Sequence, residues 1–303
     1  GEVREAQLVE VVRRNGMRMV GPNCLGVMNT HADIRMNATF APVMPPHGRT
    51  GILSQSGAIG LSVLDYAKEY GIGVSQFVSV GNKPDVSGND LLEHWEHDDT
   101  VDVILLYVES FGNPVKFREL ATRISRTKPI IALKGGRSRA GGAAASSHTG
   151  ALAANDVAVD ALLGQTGVLR AASIEELFDM AMGFGGQALP RSRRTVVVTN
   201  AGGPGILVAD ALEMHGLEVP PLADATIERM RPLFPEEASL RNPLDMIASA
   251  RPASYRIALD HALADENIDA AVAIFVPPLG VRQEEVAEAI AAAAGEHLEK
   301  PVL

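Results

Sequence analysis

The chain has 303 residues, 46% of them apolar, a formal net charge of −10 and a single cysteine, Cys24. That length and apolar content suffice for two domains with full cores, while the acidity argues against nucleic acid or an anionic membrane surface as the main partner. Aromatic residues at 4% leave little for base stacking, and one cysteine excludes an internal disulfide and a multi-cysteine metal site.

No apolar run reaches membrane-spanning length and no signal peptide opens the chain, so a cytoplasmic setting is expected. Position 1 is Gly, followed by an amphipathic run from Val3 to Val12, so the chain is expected to begin inside a larger protein. Gly51 to Ser54 reads as a strand entering a turn, and Ala58 to Tyr70 as a helix stopped by Gly71. Val74 to Val80 is the next strand, Asp90 to His97 a helix, Val101 to Val108 a buried strand and Pro114 to Arg126 a helix. Pro129 to Leu133 is a further strand running into a loop of small residues, Gly141 to Ala151, that carries His148. Asp156 to Leu163 and Ile174 to Gly183 read as helices, and Gln187 to Arg194, with Pro190 and several arginines, as a linker. Short β-rich runs alternating with helices predict an α/β fold with parallel sheets.

The second half repeats the first. Arg49-Thr50-Gly51-Ile52-Leu53-Ser54-Gln55-Ser56-Gly57 aligns without a gap with Arg194-Thr195-Val196-Val197-Val198-Thr199-Asn200-Ala201-Gly202. Gly60, Asp65 and Gly71 answer to Gly205, Asp210 and Gly216. Val101-Asp102 answers to Ile268-Asp269, and Lys128 to Ile131 to Lys300 to Leu303. The fold class expected is therefore α/β, with two tandem flavodoxin-like parallel-sheet domains, 49–186 and 192–303. The second is expected to be cut inside a strand.

Each repeat places a turn of small residues between a strand and a helix: Ser54 to Ala58, and Asn200 to Gly205. Unpaired backbone N–H groups and the positive end of the helix dipole make such a start an anion site. Ser56 and Gly57, and Gly202 and Gly203, are the candidate phosphate-binding residues. Tight turns of this kind also occur with no ligand, but two equivalent ones point to one phosphate held between facing helix starts. His148, in a loop with nothing to pack a core, can act as base, ligand or phosphoryl acceptor. Glu109 ends the Val101–Val108 strand, at the edge where α/β sites form; the equivalent place in the second repeat is Pro277-Pro278. The repeats differ there, so the architecture does not demand this acid. A carboxylate on one imidazole nitrogen would orient the ring and offset its charge when the other is phosphorylated.

Other candidates read more plainly. Cys24 lacks an evident base and fits a buried or cofactor-adjacent thiol. His94 and His97, with Glu93 and Glu96, have a metal-compatible spacing but no third ligand, which favours a solvated helix face, so no metal is expected. Asp245 either caps a helix or lines a site, and Lys83 and Asp85 either border a site or shape a turn.

In order and coverage these motifs resemble the NDP-forming acyl-CoA synthetases, relatives of succinyl-CoA synthetase. Gly21-Pro22-Asn23-Cys24-Leu25-Gly26 resembles the end of their CoA-binding Rossmann domain, so residues 1–48 are expected to be its remnant. Ser54 to Gly57 and Asn200 to Gly205 resemble the phosphate turns before two helices, Ser79 to Val86 the stretch bordering the acyl site, and Ser147 to Gly150 the phosphohistidine loop. Asn242-Pro243-Leu244-Asp245 resembles a further motif of the last domain. The resemblance implies His148 and Glu109 as catalytic residues and Asn23, Cys24, Asn82 and Lys83 at the CoA and acyl site. It implies coenzyme A and phosphate as ligands, with ADP or ATP (or GDP or GTP) and Mg bound by an ATP-grasp domain or subunit not visible in this sequence, and a possible homodimer. It also implies that acyl-CoA, phosphate and nucleoside diphosphate are interconverted with acid, CoA and triphosphate through a phosphohistidine, the isolated chain being inactive. The alternatives are a regulatory acyl-CoA-sensing region of a protein lysine acetyltransferase, or a plain assembly module.

Overall fold

Strand β3, His47–Ser54, is the centre of the first sheet because five consecutive residues, Thr50 to Ser54, are buried on both faces. The computed structural model describes residues 2–137, 156–278, 280 and 282–303. They fold as two units, Gly1–Gly185 and Gly186–Leu303. Among them no helix is long and apolar enough to cross a membrane.

The first unit begins with helix α1, Glu2–Arg14, and a short hairpin, β1 (Gly26–Asn29) and β2 (Met36–Thr39). β3 leads into α2 (Gly57–Glu69), then β4 (Val74–Ser79), α3 (Gly88–Glu96), β5 (Val103–Val108), α4 (Pro114–Ile124) and β6 (Ile130–Lys134). After the undescribed stretch come α5 (Asp156–Thr166), β7 (Leu169–Ala171) and α6 (Ile174–Phe184). The sheet order is β2-β1-β4-β3-β5-β6-β7. Every pairing from β4 to β7 is parallel, while β1 joins β4 and β2 antiparallel. Residues 26–39 thus add two strands to one edge of this sheet, which the sequence pattern did not announce.

Two apolar layers flank the sheet. Leu53, Leu106, Trp95 and Phe117 lie in one with α3, α4 and α5; Ile52, Leu105, Phe77 and Phe178 lie in the other with α2 and α6. Trp95 is fully buried and its indole N–H donates to Gln76 Oε1 at 2.9 Å. Gly51 faces it so closely that a Cβ there would sit 3.1 Å from the indole ring and would have to press it aside by a few tenths of an ångström.

The second unit has β8 (Thr195–Thr199), α7 (Gly202–Met214), α8 (Asp224–Met230), β9 (Leu244–Asp245), α9 (Pro252–Leu263), β10 (Ala270–Ile274) and α10 (Gln283–Glu296). Its parallel sheet has the order β10-β8-β9, and Val302 bridges in parallel to Ala271 beyond β10. That arrangement reproduces β4, β3, β5 and β6 of the first unit, so the internal repeat of the sequence is a repeat of the fold. The repeat extends to individual bonds. Gly71 and Gly216 follow their helices with φ of +68° and +78°. In each, the next amide closes back onto the helix, Ile72 N–H to Ala67 O at 2.8 Å and Leu217 N–H to Leu212 O at 2.9 Å, a glycine stop using the left-handed conformation.

Arg49 and Arg194 repeat as well. Arg49 donates to Asp102 Oδ1 at 2.7 Å, and Arg194 Nε to Asp269 Oδ2 at 2.6 Å. Asp269 is the more buried acid, and the Arg194 guanidinium, helped by the Ser192 hydroxyl, holds its carboxyl below the usual carboxylate range. A group whose pKa is depressed by folding stabilises the fold above its unfolded pKa and loses that contribution as pH falls through the folded one. Asp269→Asn should therefore lower the melting temperature of the second unit at neutral pH. The gap from wild type should close below about pH 4. A calorimetric pH series that shows the same gap at pH 7 and at pH 3 would contradict this assignment.

Candidate active site at the carboxyl edge of the first sheet

Ser54 to Ala58 link β3 to α2 with little freedom. The Ser54 hydroxyl donates to Ser56 O at 2.7 Å, and Ser56 caps α2, its Oγ accepting from Ile59 N–H at 3.4 Å. Ser56 and Gly57 are half-buried and Ala58 is exposed, so the free amides of the first turn are open to an anion. Gly57 is not forced by crowding, since a Cβ there would meet only Leu25 at ordinary contact, 3.6 Å or more.

Gln55, unremarked in the sequence, fastens this turn to the neighbouring strand end. Its Oε1 accepts from Glu109 N–H at 2.8 Å and Ser110 N–H at 3.0 Å, and its Nε2 donates to Ser110 O at 2.6 Å. Asn200 makes the equivalent clamp in the second unit, donating to Val276 O at 2.8 Å and accepting from Val276 N–H at 2.9 Å. The alignment of Gln55 with Asn200 was the signal that could have found both.

Glu109 stands where β5 ends, half-buried, with its carboxylate free of hydrogen bonds and ion pairs among the described residues. Around it the sheet edge gathers cations. Lys83 Nζ lies 3.4 Å from Gln55 Oε1. Burial pulls the Lys83 ammonium below the ordinary lysine range, and Glu109 pushes it back up. Lys134, the last residue of β6, is buried and donates to Gly135 O, and it is lowered by burial against the same counter-pull from Glu109. The Tyr107 phenol is raised by burial and then by Glu109. Gly135 continues β6 past this group: a Cβ there would lie 2.9 Å from the Tyr107 hydroxyl and 3.7 Å from Glu109 Cγ. The chain leaving β6 toward residue 148 therefore starts beside Glu109. His148 itself lies outside the described residues.

Asn23, Cys24, Asn82 and Lys83 are also drawn together. Asn23 Nδ2 donates to Asn82 Oδ1 at 3.3 Å, Asn82 N–H to Pro22 O at 3.0 Å, and Asn82 Nδ2 to Glu5. Asn23 and Lys83 both have positive φ, +57° and +51°. Cys24 is half-buried, its thiol 3.9 Å from Val20 O. Asp85 shapes the turn rather than facing a ligand: Met19 N–H reaches it at 2.6 Å and Arg18 at 3.1 Å, and both hold its carboxyl below the usual range. His94 and His97 are exposed and sit 3.6 and 3.8 Å from Asp98 and Glu96.

Gly202 and Gly203 open α7 in the second unit. Thr199 Oγ1 bonds both N–H and O of Ala201 at 3.0 Å, as Ser54 does for Ser56 O, but Ala201 gives no side-chain cap. A Cβ at Gly202 would lie 3.0 Å from Asp245 Oδ2. Asp245, at the end of β9, thus lines this helix start, and its other oxygen accepts from Ile247 N–H at 2.9 Å.

Residues 47–184 match the succinyl-CoA ligase-like flavodoxin domain and residues 195–303 the ligase-CoA domain. The chain is 42% identical, over its whole length, to the alpha subunit of acetate–CoA ligase [ADP-forming] II of Pyrococcus furiosus, covering 66% of that protein. The chain belongs to the NDP-forming acyl-CoA synthetase family. Within this family it is 40% identical over 96% of its length to acetate–CoA ligase [ADP-forming] I of Archaeoglobus fulgidus, covering 42% of it. A solved family structure, the dinucleotide forming acetyl-coenzyme A synthetase 1 of Ca. Korarchaeum cryptofilum in complex with phosphate and ADP, superposes with a TM-score of 0.92 at 34% identity. It spans 98% of this chain, and this chain spans 64% of it. The chain therefore spans about two thirds or less of the length of these relatives.

Proposed function

We propose that this chain is the acyl-transferring and phosphohistidine-bearing part of an acid–CoA ligase that forms a nucleoside triphosphate. The observation that carries the reading is the Glu109 carboxylate, unbonded among the described residues, on a backbone that Gln55 ties to the open α2 start and beside the departure of the chain toward His148. Phosphate held on the amides that follow Ser56 attacks the acyl carbonyl of an acyl-CoA. The C–S bond breaks, CoA leaves as the thiol, and an acyl phosphate remains. A ring nitrogen of His148 then takes the phosphoryl group, the P–O bond to the acyl oxygen breaks, and the carboxylate leaves. Glu109 orients the imidazole and offsets its charge.

Asn23, Cys24 and Asn82 border the thioester in this reading, Lys83 faces its acyl end, and Gly202 and Gly203 offer the second anion-binding helix start. Nucleotide and Mg would be held by an ATP-grasp domain or partner subunit; the Pyrococcus furiosus relative is itself named as an alpha subunit. The regulatory alternative gains no support from relatives named as ligases. The test is CoA release from acetyl-CoA by the full-length protein, or by this chain with its partner, followed with a thiol reagent. Any release should require phosphate, and release beyond one CoA per chain should require ADP (or GDP) as well. Release that ignores phosphate, or no release with either nucleotide, would overturn the proposal.

A further inference from the structure

Among the described residues no other lysine or arginine is as buried as Lys134, which is 6% exposed at the end of β6. Its register partner in β5 is Val108, so Glu109 and Gly135 are the next residues along the two neighbouring strands. The Lys134 ammonium donates to the Gly135 carbonyl, which keeps it at the carboxyl edge of the sheet. Gly135 also stands against Glu109, since a Cβ there would lie 3.7 Å from Glu109 Cγ. The ammonium and the Glu109 side chain are thus both neighbours of one glycine.

A buried ammonium set against a neutral carbonyl costs the fold free energy. Burial pulls it below the ordinary lysine range; Glu109 and then Asp156 pull it back up, while Arg170 adds to the lowering. Asp156 is already engaged. It pairs with Arg170 of β7, which also takes Asp160, so both acids at the start of α5 are answered there. Glu109 is the acid left over. In the second unit the buried Asp269 takes its arginine directly, at 2.6 Å. Lys134 and Glu109 make no such bond among the described residues, so each keeps its charge for a third group. Lys83, after β4, approaches the same acid from the opposite flank of β5 in the sheet order and is partnered by Gln55 Oε1 at 3.4 Å.

We infer that Lys134 is a positioning residue for the phosphoryl step, its ammonium offsetting the Glu109 charge when a phosphoryl group is brought beside that acid. The inference rests on the acid–CoA ligase reading and deepens it by adding a residue that acts through Glu109. A carboxylate and phosphoryl oxygens repel strongly where water is scarce, and a cation on the neighbouring strand lifts that repulsion without taking the carboxylate's hydrogen-bonding positions. The fold itself gains nothing from the charge, so removing it separates a structural role from a chemical one.

The experiment labels the full-length protein with acetyl-CoA and radioactive phosphate in a single turnover, with a melting curve for each variant. Lys134→Met keeps the length of the side chain and removes its charge. It should melt no lower than wild type and yet label about 10- to 100-fold more slowly. Lys134→Arg keeps the charge and should recover most of the rate. In a Glu109→Gln background, followed over hours, Lys134→Met should slow labelling by less than about threefold more. Wild-type rate in Lys134→Met overturns the inference alone. So does a Lys134→Met that melts well below wild type or does not fold, because the ammonium would then serve the fold. A folded Lys134→Arg that labels no faster than Lys134→Met, or losses that multiply in full in the double variant, would overturn it too. Absence of labelling in wild type would bring down the ligase reading and this inference with it.

Discussion

His148→Ala should abolish acid-labile, base-stable phosphate labelling of the complete protein when it is supplied with acyl-CoA and radioactive phosphate. No other side chain between Gly141 and Ala151 can form a phosphoramidate, so within that stretch only an N-phosphorylated imidazole gives that lability. Glu109→Gln should leave the fold unchanged, because the bonds of Gln55 go to the backbone of residues 109 and 110 and not to the carboxylate. It should still slow labelling severely. The amide accepts a hydrogen bond but carries no charge to set against the imidazolium, and loss of an orienting acid in a serine-protease triad costs about 10⁴ in rate. Equal labelling of wild type and His148→Ala would end the phosphohistidine reading. Full-rate labelling of Glu109→Gln would remove Glu109 from it while leaving His148 in place.

Gly81→Ala should be the most damaging single-methyl change at the site. Gly81 has φ of +53°, and a Cβ there would fall 2.3 Å from Pro22 O and 2.4 Å from Asn23 O. Both obstacles are backbone, so neither can rotate aside. Residues 22–23 must separate from the 81–83 turn, and the Asn82 N–H to Pro22 O bond goes with them. A cost of about 2–4 kcal/mol is expected from strain plus lost contact, lowering the melting temperature of the first unit by about 5–10 °C. Gly71→Ala is the matched control: φ is +68°, but nothing lies within 4 Å of the added carbon. It should cost only about 1 kcal/mol. If calorimetry found the two variants equally stable, close approach of the N-terminal segment would not be what requires glycine at 81. Because Asn23, Cys24 and Asn82 meet at this contact, Gly81→Ala should also weaken acyl-CoA binding.

The repeat made much of the fold legible. Arg49 to Gly57 against Arg194 to Gly202 predicted strand, turn and helix twice, and the structure adds the same glycine stop and the same arginine–aspartate pair to each copy. What escaped had weak local signals. β2 is exposed at three of its four positions, so it carries no apolar alternation. β9 has two residues, and only its pairing with β8 defines it. The start of α3 was read two residues late because Ser87 and Asp90 form a capping box, in which Ser87 and not Asp90 stands at the cap. At the candidate site, Glu109, Ser56 and Gly57 stood out by type and position, and Lys83 only through the family resemblance. Gln55 and Lys134 did not, because glutamine and lysine are surface residues by default. Only burial and the count of their hydrogen bonds separate them from decoration.

Trp95 is the chain's only tryptophan. It lies in the first unit, sealed against Gly51 with its N–H on Gln76. Tryptophan emission is thus a private channel for that unit. In a urea titration, the red shift on solvent entry tracks the unit that carries Glu109, while far-ultraviolet ellipticity sums the helices of both. Where the two curves diverge, the difference belongs to the tryptophan-free unit, so the two stabilities can be separated optically without cutting the chain.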